Sequence, residues 1–430
     1  MYFMAKRVYK GQLSSGRRLG IILVLGSLIA IGPFSIDAYL PAFKQIAGDF
    51  KVDVNAISLT LTTYFIGIGL GQLAYGPLMD RFGRRKPLIV GLVLYIGTSL
   101  ASAFAYDVIA LATLRFFTAL GACAGMVASK AIVRDLFDEE EVASVLSNLM
   151  LIMGIAPVIA PGIGGWVVTH FHWQIIFYGL AGFATLMLFN IIFFLPDSVT
   201  PNRATSLKPV PVLKEYWSIY KNKAFFLFST TRGFIIGALL GYVAAAPFIF
   251  MEFFEMSKTE FAFAFSSNAA GLIAGSQINR LFLKRYTTFE ITYVVSVLLI
   301  VFTGVLTIHL ATMTPEFWIV YPSLFLMMTA IGFQNPNATA LALQPFTAKA
   351  GSASAFVGAV SMIYGSLASW YVSKFVNDAL LPLALLLLGC AVFGHLAVEI
   401  FRIKYARGYQ FAKNYLKHPY KAIKREDNYS

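Results

Sequence analysis

The chain is short of charge and almost free of cysteine, and both shortages limit what it can be. Only 13% of its 430 residues are charged, about half of the roughly 25% that is usual in soluble globular proteins. Cys123 and Cys390 lie far apart in apolar runs, so the sequence has neither a disulfide framework nor a pair of CxxC zinc motifs. The five histidines are scattered, and no P-loop or nucleophile elbow occurs. We therefore expect no enzyme, no metal and no cofactor.

Long hydrophobic segments are what the chain has instead. Hydrophobic residues form 58% of the sequence, and the mean hydropathy is +0.71. Because a helix needs roughly 20 apolar residues to cross a bilayer, this segmentation predicts an all-α integral membrane protein with twelve transmembrane helices. They are expected near residues 19–41, 56–79, 88–106, 108–131, 142–168, 173–195, 224–250, 261–283, 288–310, 317–341, 350–376 and 379–401.

The positive charges are distributed unevenly between these segments. With the N-terminus assigned to the cytoplasm and the sides alternating, 28 Lys and Arg residues fall on the cytoplasmic side and 4 on the outer side. This asymmetry is the positive-inside pattern. It predicts a multi-pass membrane protein with both termini in the cytoplasm. It also accounts for the net charge of +13 without a nucleic-acid partner.

The longest polar stretch inside the chain separates two sets of six segments and contains four prolines. We predict an N-terminal six-helix bundle at 1–195, a central cytoplasmic loop at 196–223, a C-terminal six-helix bundle at 224–401 and a basic cytoplasmic tail at 402–430. The tail alternates aromatic and basic residues. This pattern fits a solvated extension drawn to anionic lipid headgroups, or alternatively a helix that docks a partner.

Asp37 and Arg115 are charged residues inside the predicted spans, and Arg232 is counted as intramembrane as well. Asp37 follows an uncharged run, and an ionisable group in a membrane segment is a functional-site hypothesis by default. Helix rise puts Asp37 about 6 Å and Arg115 about 10 Å from the outer ends of their spans, so we expect the two to pair. An opposite charge favours the carboxylate and desolvation favours the acid, which would make a protonation switch. Alternatively, Asp37 is an interfacial helix-end acid, and Arg115 snorkels or caps backbone carbonyls.

A short loop between the second and third spans carries a conspicuous charge pattern. It reads GPLMDRFGRRKP at residues 76–87, with glycine and proline breaks that allow a tight reversal. A loop that serves only topology needs cations but no acid. Asp80, beside Arg81, Arg84 and Arg85, therefore indicates a carboxylate with charge partners at the membrane surface.

Two further spans contain unusual residues for a membrane helix. Span five reads LMLIMGIAPVIAPGIGGWV at 149–167, where small residues permit close helix approach and prolines bend the helix, although ordinary packing would use the same residues. Span ten holds four amides around Pro336. An unwound segment there could offer them to a substrate, or they could bond neighbouring helices. The four amides are Gln334, Asn335, Asn337 and Gln344.

Taken together, these motifs resemble the bicyclomycin-resistance (Bcr/CflA) branch of the major facilitator superfamily. The resemblance rests on the quoted loop, on span five and on four further segments, namely IDAYLPAF, LRFFTALGACAGMV, NPNATALAL and AGSASAFVGAV. The similarity runs collinearly over about residues 20–400. The resemblance implies two six-helix bundles around a central cavity and proton-driven export. Two departures stand out, since Thr118 replaces a glutamine of many relatives and the first helix has no second acid.

The resemblance also implies roles for individual residues. Proton coupling is expected of Asp37 and Arg115. Gating is expected of Gly76, Asp80, Arg81, Gly83, Arg84 and Arg85. The antiporter motif of the fifth span corresponds to Gly154, Pro157, Pro161, Gly164 and Gly165. As substrate contacts we expect aromatics and one amide suited to amphipathic molecules, namely Tyr39, Tyr64, Asn335, Phe356 and Tyr364.

The expected activity is proton-coupled efflux of small amphipathic molecules or drugs by alternating access. The expected partners are the small-molecule substrate, protons and the lipid bilayer, with the chain functional as a monomer. Alternatives are a dedicated exporter of an endogenous metabolite such as a siderophore, a proton-coupled uptake symporter, and a membrane receptor or scaffold that transports nothing.

Overall fold

The computed structural model describes residues 15–193, 195, 209–346, 350–376 and 380–417, and in these ranges it contains helices and no strand. Twelve helices are long and two are short. Their bounds are α1 Ser15–Asp37, α2 Phe43–Phe50, α3 Val54–Phe82, α4 Arg85–Ser102, α5 Val108–Leu136, α6 Glu139–His170, α7 Gln174–Phe193, α8 Pro209–Tyr220, α9 Lys223–Pro247, α10 Lys258–Phe282, α11 Thr288–Thr312, α12 Phe317–Leu343, α13 Ala350–Phe375 and α14 Leu381–Lys417.

Within the described ranges, ten helical segments are long and apolar enough to cross a membrane. The two other long helices are α4, which begins with Arg85 and Lys86, and α10, which contains several serine, asparagine and glutamine residues. Both pack between apolar spans, α4 against α5 and α7, and α10 against α6 and α12. The predicted all-α membrane architecture is confirmed, and each predicted span corresponds to one long helix.

The helices form two halves. Helices α1 and α3 to α7 pack on one another, and α9 to α14 do the same. The halves meet where α3 packs on α13 and α6 packs on α10. Large apolar side chains such as Phe104, Phe263 and Trp318 point away from the protein. An apolar outer surface of this kind is what a lipid-facing helix bundle presents.

The stretch predicted as a central loop contains helix α8 in its described part. Tyr216 of α8 donates its hydroxyl to the Leu73 carbonyl of α3 at 3.2 Å. Its ring also stacks on Phe356 of α13, with 5.2 Å between ring centres. The connection between the halves therefore rests on both of them.

The two ends of the molecule differ in charge, and we name them accordingly. The basic end comprises the starts of α1 and α9 and the turns at 82–85 and 283–287, which carry Arg18, Lys223, Arg84, Arg85, Lys284 and Arg285. At this end Arg18 of α1 forms an ion pair with Glu141 of α6 and thereby holds the pKa of the Glu141 carboxyl below its usual value. The opposite end comprises the turns at 51–53, 171–173 and 254–257.

The opposite end is closed by bonds between the two halves. Ser58 of α3 donates its hydroxyl to the Ala244 carbonyl of α9 at 2.8 Å. Lys258 of α10 donates to the Val168 carbonyl of α6 at 2.6 Å. Further bonds at this end join Lys44 to Glu252 at 3.6 Å, Thr62 to Ser369 at 3.0 Å, and Ser369 to the Ser58 carbonyl at 3.2 Å.

Candidate functional site

Asp37 is the last residue of α1 and lies at the closed end. Its side chain is 5% exposed. Within the part of the chain that the structure describes, it forms neither a hydrogen bond nor an ion pair. Tyr242 of α9, on the other half, is close enough to interact with it electrostatically and accepts a hydrogen bond from Asn268 of α10 at 2.7 Å. The acid therefore faces the interface between the halves, a setting that sequence reasoning did not foresee.

Arg115 of α5 is fully buried, but it does not pair with Asp37. Its Nη2 donates to the Ser35 carbonyl at 3.0 Å, two residues before Asp37. The guanidinium carbon lies 4.2 Å from the ring centre of Tyr64 and 4.9 Å from that of Tyr39. The predicted ion pair is wrong for this conformation, because the guanidinium reaches a carbonyl of the last turn of α1 instead. The alternative of a carbonyl-capping arginine describes this contact.

Tyr39 and Tyr64, which we expected to touch substrate, instead pack their rings against the guanidinium of Arg115. Both are fully buried. The Tyr39 hydroxyl bonds Thr60 at 3.2 Å, and the Tyr64 hydroxyl donates to the Gly32 carbonyl at 3.2 Å. In this conformation the rings and hydroxyls have partners inside the N-terminal half, and a role of these two residues in substrate contact stays a prediction.

Helix α6 connects the Asp37 segment to the other half through its small residues. A Cβ atom on Gly164 would lie 2.0 Å from the carbonyl oxygen of Ala38, the residue that follows Asp37. On the α10 side, Cβ atoms on Gly154 and Gly165 would lie 3.6 Å from Ile273 and 3.4 Å from the Lys258 carbonyl oxygen. Gly164 is thus the glycine of this group that a side chain cannot replace without moving backbone.

The two prolines of α6 do not interrupt the helix. Pro157 and Pro161 lie within the continuous span Glu139–His170. Beside them, Ser266 of α10 donates its hydroxyl to the Val158 carbonyl at 2.6 Å. A neighbouring helix thus bonds the backbone next to a proline, as membrane helices with prolines require.

Arg84 is the centre of the charged loop at the basic end. It donates to Asp80 in its own loop and, through Nε, to Asp135 at the end of α5 at 3.0 Å. Gly83, just before it, has φ of 82°, which glycine adopts without strain. Asp135 was not predicted as part of this site. The sequence feature that could have identified it is an acid within the basic stretch at the end of span four.

The other residues predicted for gating lie around this centre. Arg85 donates to the Ile192 carbonyl of α7, and the Arg81 guanidinium lies 5.9 Å from the ring centre of Phe82. Gly76 lies six residues before the end of α3, and a Cβ atom there would meet nothing within 4 Å. Close packing therefore gives no reason for glycine at position 76.

The amides of span ten lie in an unbroken helix. Helix α12 runs continuously through Pro336, so the unwound segment considered above is absent. Asn337 and Asn279 of α10 bond each other reciprocally at 2.9 and 3.2 Å, which is the helix-bonding alternative. Gln334 is fully buried with both amide atoms unpartnered, beside a cavity of about 10 Å³. That volume suits one water molecule.

The remaining predicted substrate contacts are scattered in the C-terminal half. Asn335 is partly buried, and its Oδ1 has no partner. Phe356 stacks on Phe225 at 5.6 Å between ring centres as well as on Tyr216 of α8, and its role in substrate contact stays a prediction. Tyr364 is half-buried against Phe234 at 4.7 Å. The five predicted contacts therefore do not form one site in this conformation.

Two cations facing the interface escaped the prediction as a pair. Lys130 of α5 lies six residues before the end of that helix. Arg232 of α9, on the other half, acts on it electrostatically. A lysine followed by AIV inside the apolar span was the signal that could have found this residue.

The comparisons with known proteins identify the family. The sequence profile described as Major Facilitator Superfamily matches residues 23–369. Relatives include an uncharacterized MFS-type transporter of Bacillus subtilis, 31% identical over 88% of this chain and 94% of that one. The bicyclomycin resistance protein homolog of Haemophilus influenzae is 28% identical over 87% and 94%, and the Escherichia coli multidrug resistance protein MdtL is 27% identical over 86% and 93%. The chain belongs to the major facilitator superfamily.

Solved structures show the same fold. A D-xylose-proton symporter aligns with a TM-score of 0.71 at 14% identity, over 90% of this chain and 98% of that one. A bacterial homolog of the human lysosomal transporter Spinster, in its inward-facing and occupied conformation, aligns with a TM-score of 0.69 at 13% identity, over 91% and 97%. These structures support the two-bundle fold predicted above. The family match and the transporter-named relatives show that the chain is a multi-pass transporter of small molecules and not an enzyme.

Proposed function

We propose that the chain is a proton-coupled antiporter that exports small amphipathic molecules across the bacterial inner membrane by alternating access. The observation that carries the proposal is Asp37, a nearly buried acid without a bonded partner at the closed junction of the two halves. The printed names of relatives, which include bicyclomycin and multidrug resistance proteins, favour efflux.

The positive-inside rule supports the orientation. The basic end would face the cytoplasm and the opposite end the periplasm, with both chain termini in the cytoplasm. In that orientation the bonds from Ser58 to Ala244 and from Lys258 to Val168 close the periplasmic side. The described conformation is then closed to the outside.

Asp37 would couple protonation to this closure. A carboxylate in an apolar site without a partner is costly, so the closed conformation favours its protonated form. When the periplasmic side opens, water can hydrate the carboxylate, and the proton is exchanged with the outside. Proton binding from the periplasm would thus allow closure, and substrate binding from the cytoplasm would favour release of the proton inward.

Arg115 would act as a positioning residue in this cycle. Its bond to the Ser35 carbonyl places a cation at the C-terminal turn of α1, where the helix dipole is negative. The same turn presents Asp37. Gly164 holds the following peptide against α6, and α6 also packs on α10 of the other half. A change of charge at Asp37 can in this way reach the interface through packed backbone.

The charged loop at the basic end would serve as the cytoplasmic gate. Arg84 joins the turn after α3 to the end of α5 through Asp80 and Asp135. These are bonds within the N-terminal half, so they would keep that half rigid while it rocks against the other.

The driving force available to such an exchanger is sufficient for export. Each proton that moves inward through 100 mV contributes about 2.3 kcal/mol from the electrical term. That energy corresponds to roughly 50-fold accumulation.

The test measures ligand-induced proton release from the purified, reconstituted chain against a panel of amphipathic compounds. We expect Asp37→Asn to abolish proton release and proton-driven transport, and to remain in the membrane at the wild-type level. The matched control is Asp53→Asn, which removes an exposed acid at the same end with no bonded partner. Full proton-driven transport in Asp37→Asn would remove this acid from the mechanism.

The sign of the proton signal separates antiport from symport. An antiporter releases protons when an exported substrate binds, whereas a symporter takes them up together with its substrate. Proton uptake on ligand addition would therefore contradict efflux, even if Asp37 proved essential.

A further inference from the structure

Lys130 and Arg232 come from the two halves and lie in the parts of α5 and α9 nearer the basic end. Lys130 lies about 9 Å of helix rise before the end of α5, and Arg232 lies about 14 Å after the start of α9. Since α5 runs toward the basic end and α9 runs away from it, the two residues are at comparable depth. The charge of Arg232 acts directly on Lys130, although α5 and α9 are not a closely packed pair.

The orientation of α5 directs Lys130 to the space between the halves. Met126, one turn earlier, faces Gly32 of α1, and Cys123, two turns earlier, donates to the Ile68 carbonyl of α3. Residues three or four apart share a helix face. Lys130 therefore lies between the α1 and α3 contacts. Its side chain is exposed on this face of α5.

In the described chain, several N–H donors of these two cations have no acceptor. Arg232 donates through Nη1 to Ser361 and to the Val357 carbonyl of α13, the latter at 3.3 Å. Its Nε is buried without a partner. In the described chain nothing bonds Nη2 or the Lys130 ammonium either, and no acid pairs with them. The Nε and Nη2 edge of an arginine is the fork that receives an oxyanion in a bidentate manner.

The charges of the residues inside the described helices also favour an anionic ligand. Within these helices, the cations Arg115, Lys130 and Arg232 outnumber the one buried acid, Asp37, which lies toward the opposite end from Lys130 and Arg232. A cation that is buried without a counter-charge is costly unless an anion joins it. A cationic substrate would meet repulsion near the basic end, and a neutral one would leave both cations without partners.

We propose that Lys130 and Arg232 form an anion-binding subsite and that the transported molecule is an amphipathic organic anion with a carboxylate, sulfonate or phosphate group. The inference rests on the proposed transport function, since it names the substrate class of that function. The oxyanion would bridge the Lys130 ammonium and the free edge of Arg232, and the apolar part of the molecule would lie along the interface between the halves.

The test uses three ligands with one ring system, namely 2-naphthalenesulfonate, 2-naphthalenesulfonamide and 2-naphthyltrimethylammonium. Equilibrium dialysis measures their binding to the purified full chain in detergent. We expect the sulfonate to bind at least about tenfold more tightly than the other two, as charge-assisted hydrogen bonds imply. Equal or weaker binding of the sulfonate, or no binding of it, overturns the proposal without any variant.

Three variants then locate the preference. Lys130→Gln and Arg232→Gln should each lose about tenfold in sulfonate affinity and leave the sulfonamide unchanged. Arg232→Lys keeps the charge without the fork, and it should lie between wild type and Arg232→Gln. The matched control is Lys284→Gln, which removes an exposed cation from the turn after α10 and should bind like wild type. A preference that survives in both Gln variants contradicts the subsite.

Proton release, recorded in the same samples, separates this inference from the proposed antiport. Proton release on addition of the sulfonamide alone would retain antiport and overturn the anion subsite. Sulfonate binding that depends on Lys130 and Arg232, with no proton release, would retain the subsite and overturn antiport.

Discussion

At the residue scale, Arg115 and Asp37 show how a buried charge is stabilised through a neighbour's backbone. Arg115 bonds the Ser35 carbonyl and lies between the rings of Tyr39 and Tyr64. This arrangement satisfies part of the guanidinium without neutralising Asp37. The acid therefore stays free to take up and lose a proton at the interface between the halves.

The first prediction concerns the shape of the Arg115 side chain. Arg115→Lys keeps the positive charge, but an ammonium lacks the flat surface that lies between the two rings. We expect a loss of about 1–3 kcal/mol in the free energy of unfolding, measured by thermal unfolding in detergent. Wild-type stability in this variant would mean that charge alone is what the site requires.

The second prediction concerns the contact beside Asp37. Gly164→Ala places a methyl group against the Ala38 carbonyl, where the ideal Cβ position lies 2.0 Å from the oxygen. We expect destabilisation of about 1–3 kcal/mol or a displaced α1 end, and a loss of proton-coupled transport. The control is Gly162→Ala in the same helix, whose Cβ would meet nothing within 4 Å and should behave like wild type. Equal behaviour of the two variants would contradict the role given to Gly164.

At the scale of elements, the turn between α3 and α4 is tied to α5 by one side chain. Arg84 is 15% exposed at its side chain, and its partner Asp135 is 14% exposed, so solvent screens this pair only in part. Asp80, the other partner, is largely exposed. The tie to α5 therefore contributes more to holding the turn than the pair within the loop.

The third prediction follows from this tie. Arg84→Gln leaves Asp135 without its main cation, and we expect a loss of about 1–3 kcal/mol in the free energy of unfolding. Lys86→Gln is the control, since Lys86 is an exposed cation two residues further on. Both variants remove one positive charge from the same end. A difference in stability between them therefore reports the bond from Arg84 to Asp135 and not the contribution of positive charge to membrane orientation. Equal stability of both would show that the loop charges serve orientation alone.

At the scale of the whole molecule, the described conformation is closed at the end opposite the basic end. Hydrogen bonds from Ser58 to Ala244 and from Thr62 to Ser369 join the two halves there. Asp37 is nearly buried in that conformation. Opening must separate the halves at these bonds and bring water to the acid. Conformation and protonation are then linked, because only the ionised acid gains from hydration.

The fourth prediction is a pH-dependent distance across the closed end. Spin labels at Gly48→Cys and Thr259→Cys report on α2 and α10, with Cys123→Ala and Cys390→Ala removing the native thiols. Raising the pH ionises Asp37 and should increase the population with a long distance, whereas acid should increase the short one. Double electron–electron resonance measures both populations.

Two variants complete that measurement. With Asp37→Asn the short distance should dominate at every pH, since the amide stays neutral. With Asp53→Asn the wild-type pH response should remain. A wild-type response in Asp37→Asn would assign the pH dependence to another group.

Several parts of the architecture follow from the chain read on its own. The twelve spans are predictable because about 20 consecutive apolar residues make a membrane helix whatever their neighbours are. The turn at Gly83 is predictable because its conformation depends on local backbone freedom. The position of Asp37 as an isolated acid at the end of span one is equally local.

Other features depend on residues that are distant in sequence. Arg115 has two candidate acceptors on α1, Ser35 and Asp37, and only the packing of α5 on α1 selects the Ser35 carbonyl. Asn337 finds Asn279 on another helix. Lys130 and Arg232 act on each other electrostatically only because the two halves face each other.

The amino-acid sequence by itself thus determined that the chain is a twelve-helix membrane protein with one strategically placed acid, since hydropathy and charge are properties of each segment alone. Only the tertiary structure decided which groups meet. Within the described chain it leaves Asp37 at the closed interface without an ionic partner, turns Arg115 to the backbone of α1, and sets one cation of each half toward the basic end. The physical reason is that a buried charge takes the partner that helix packing brings within reach, and that packing is set by every helix at once.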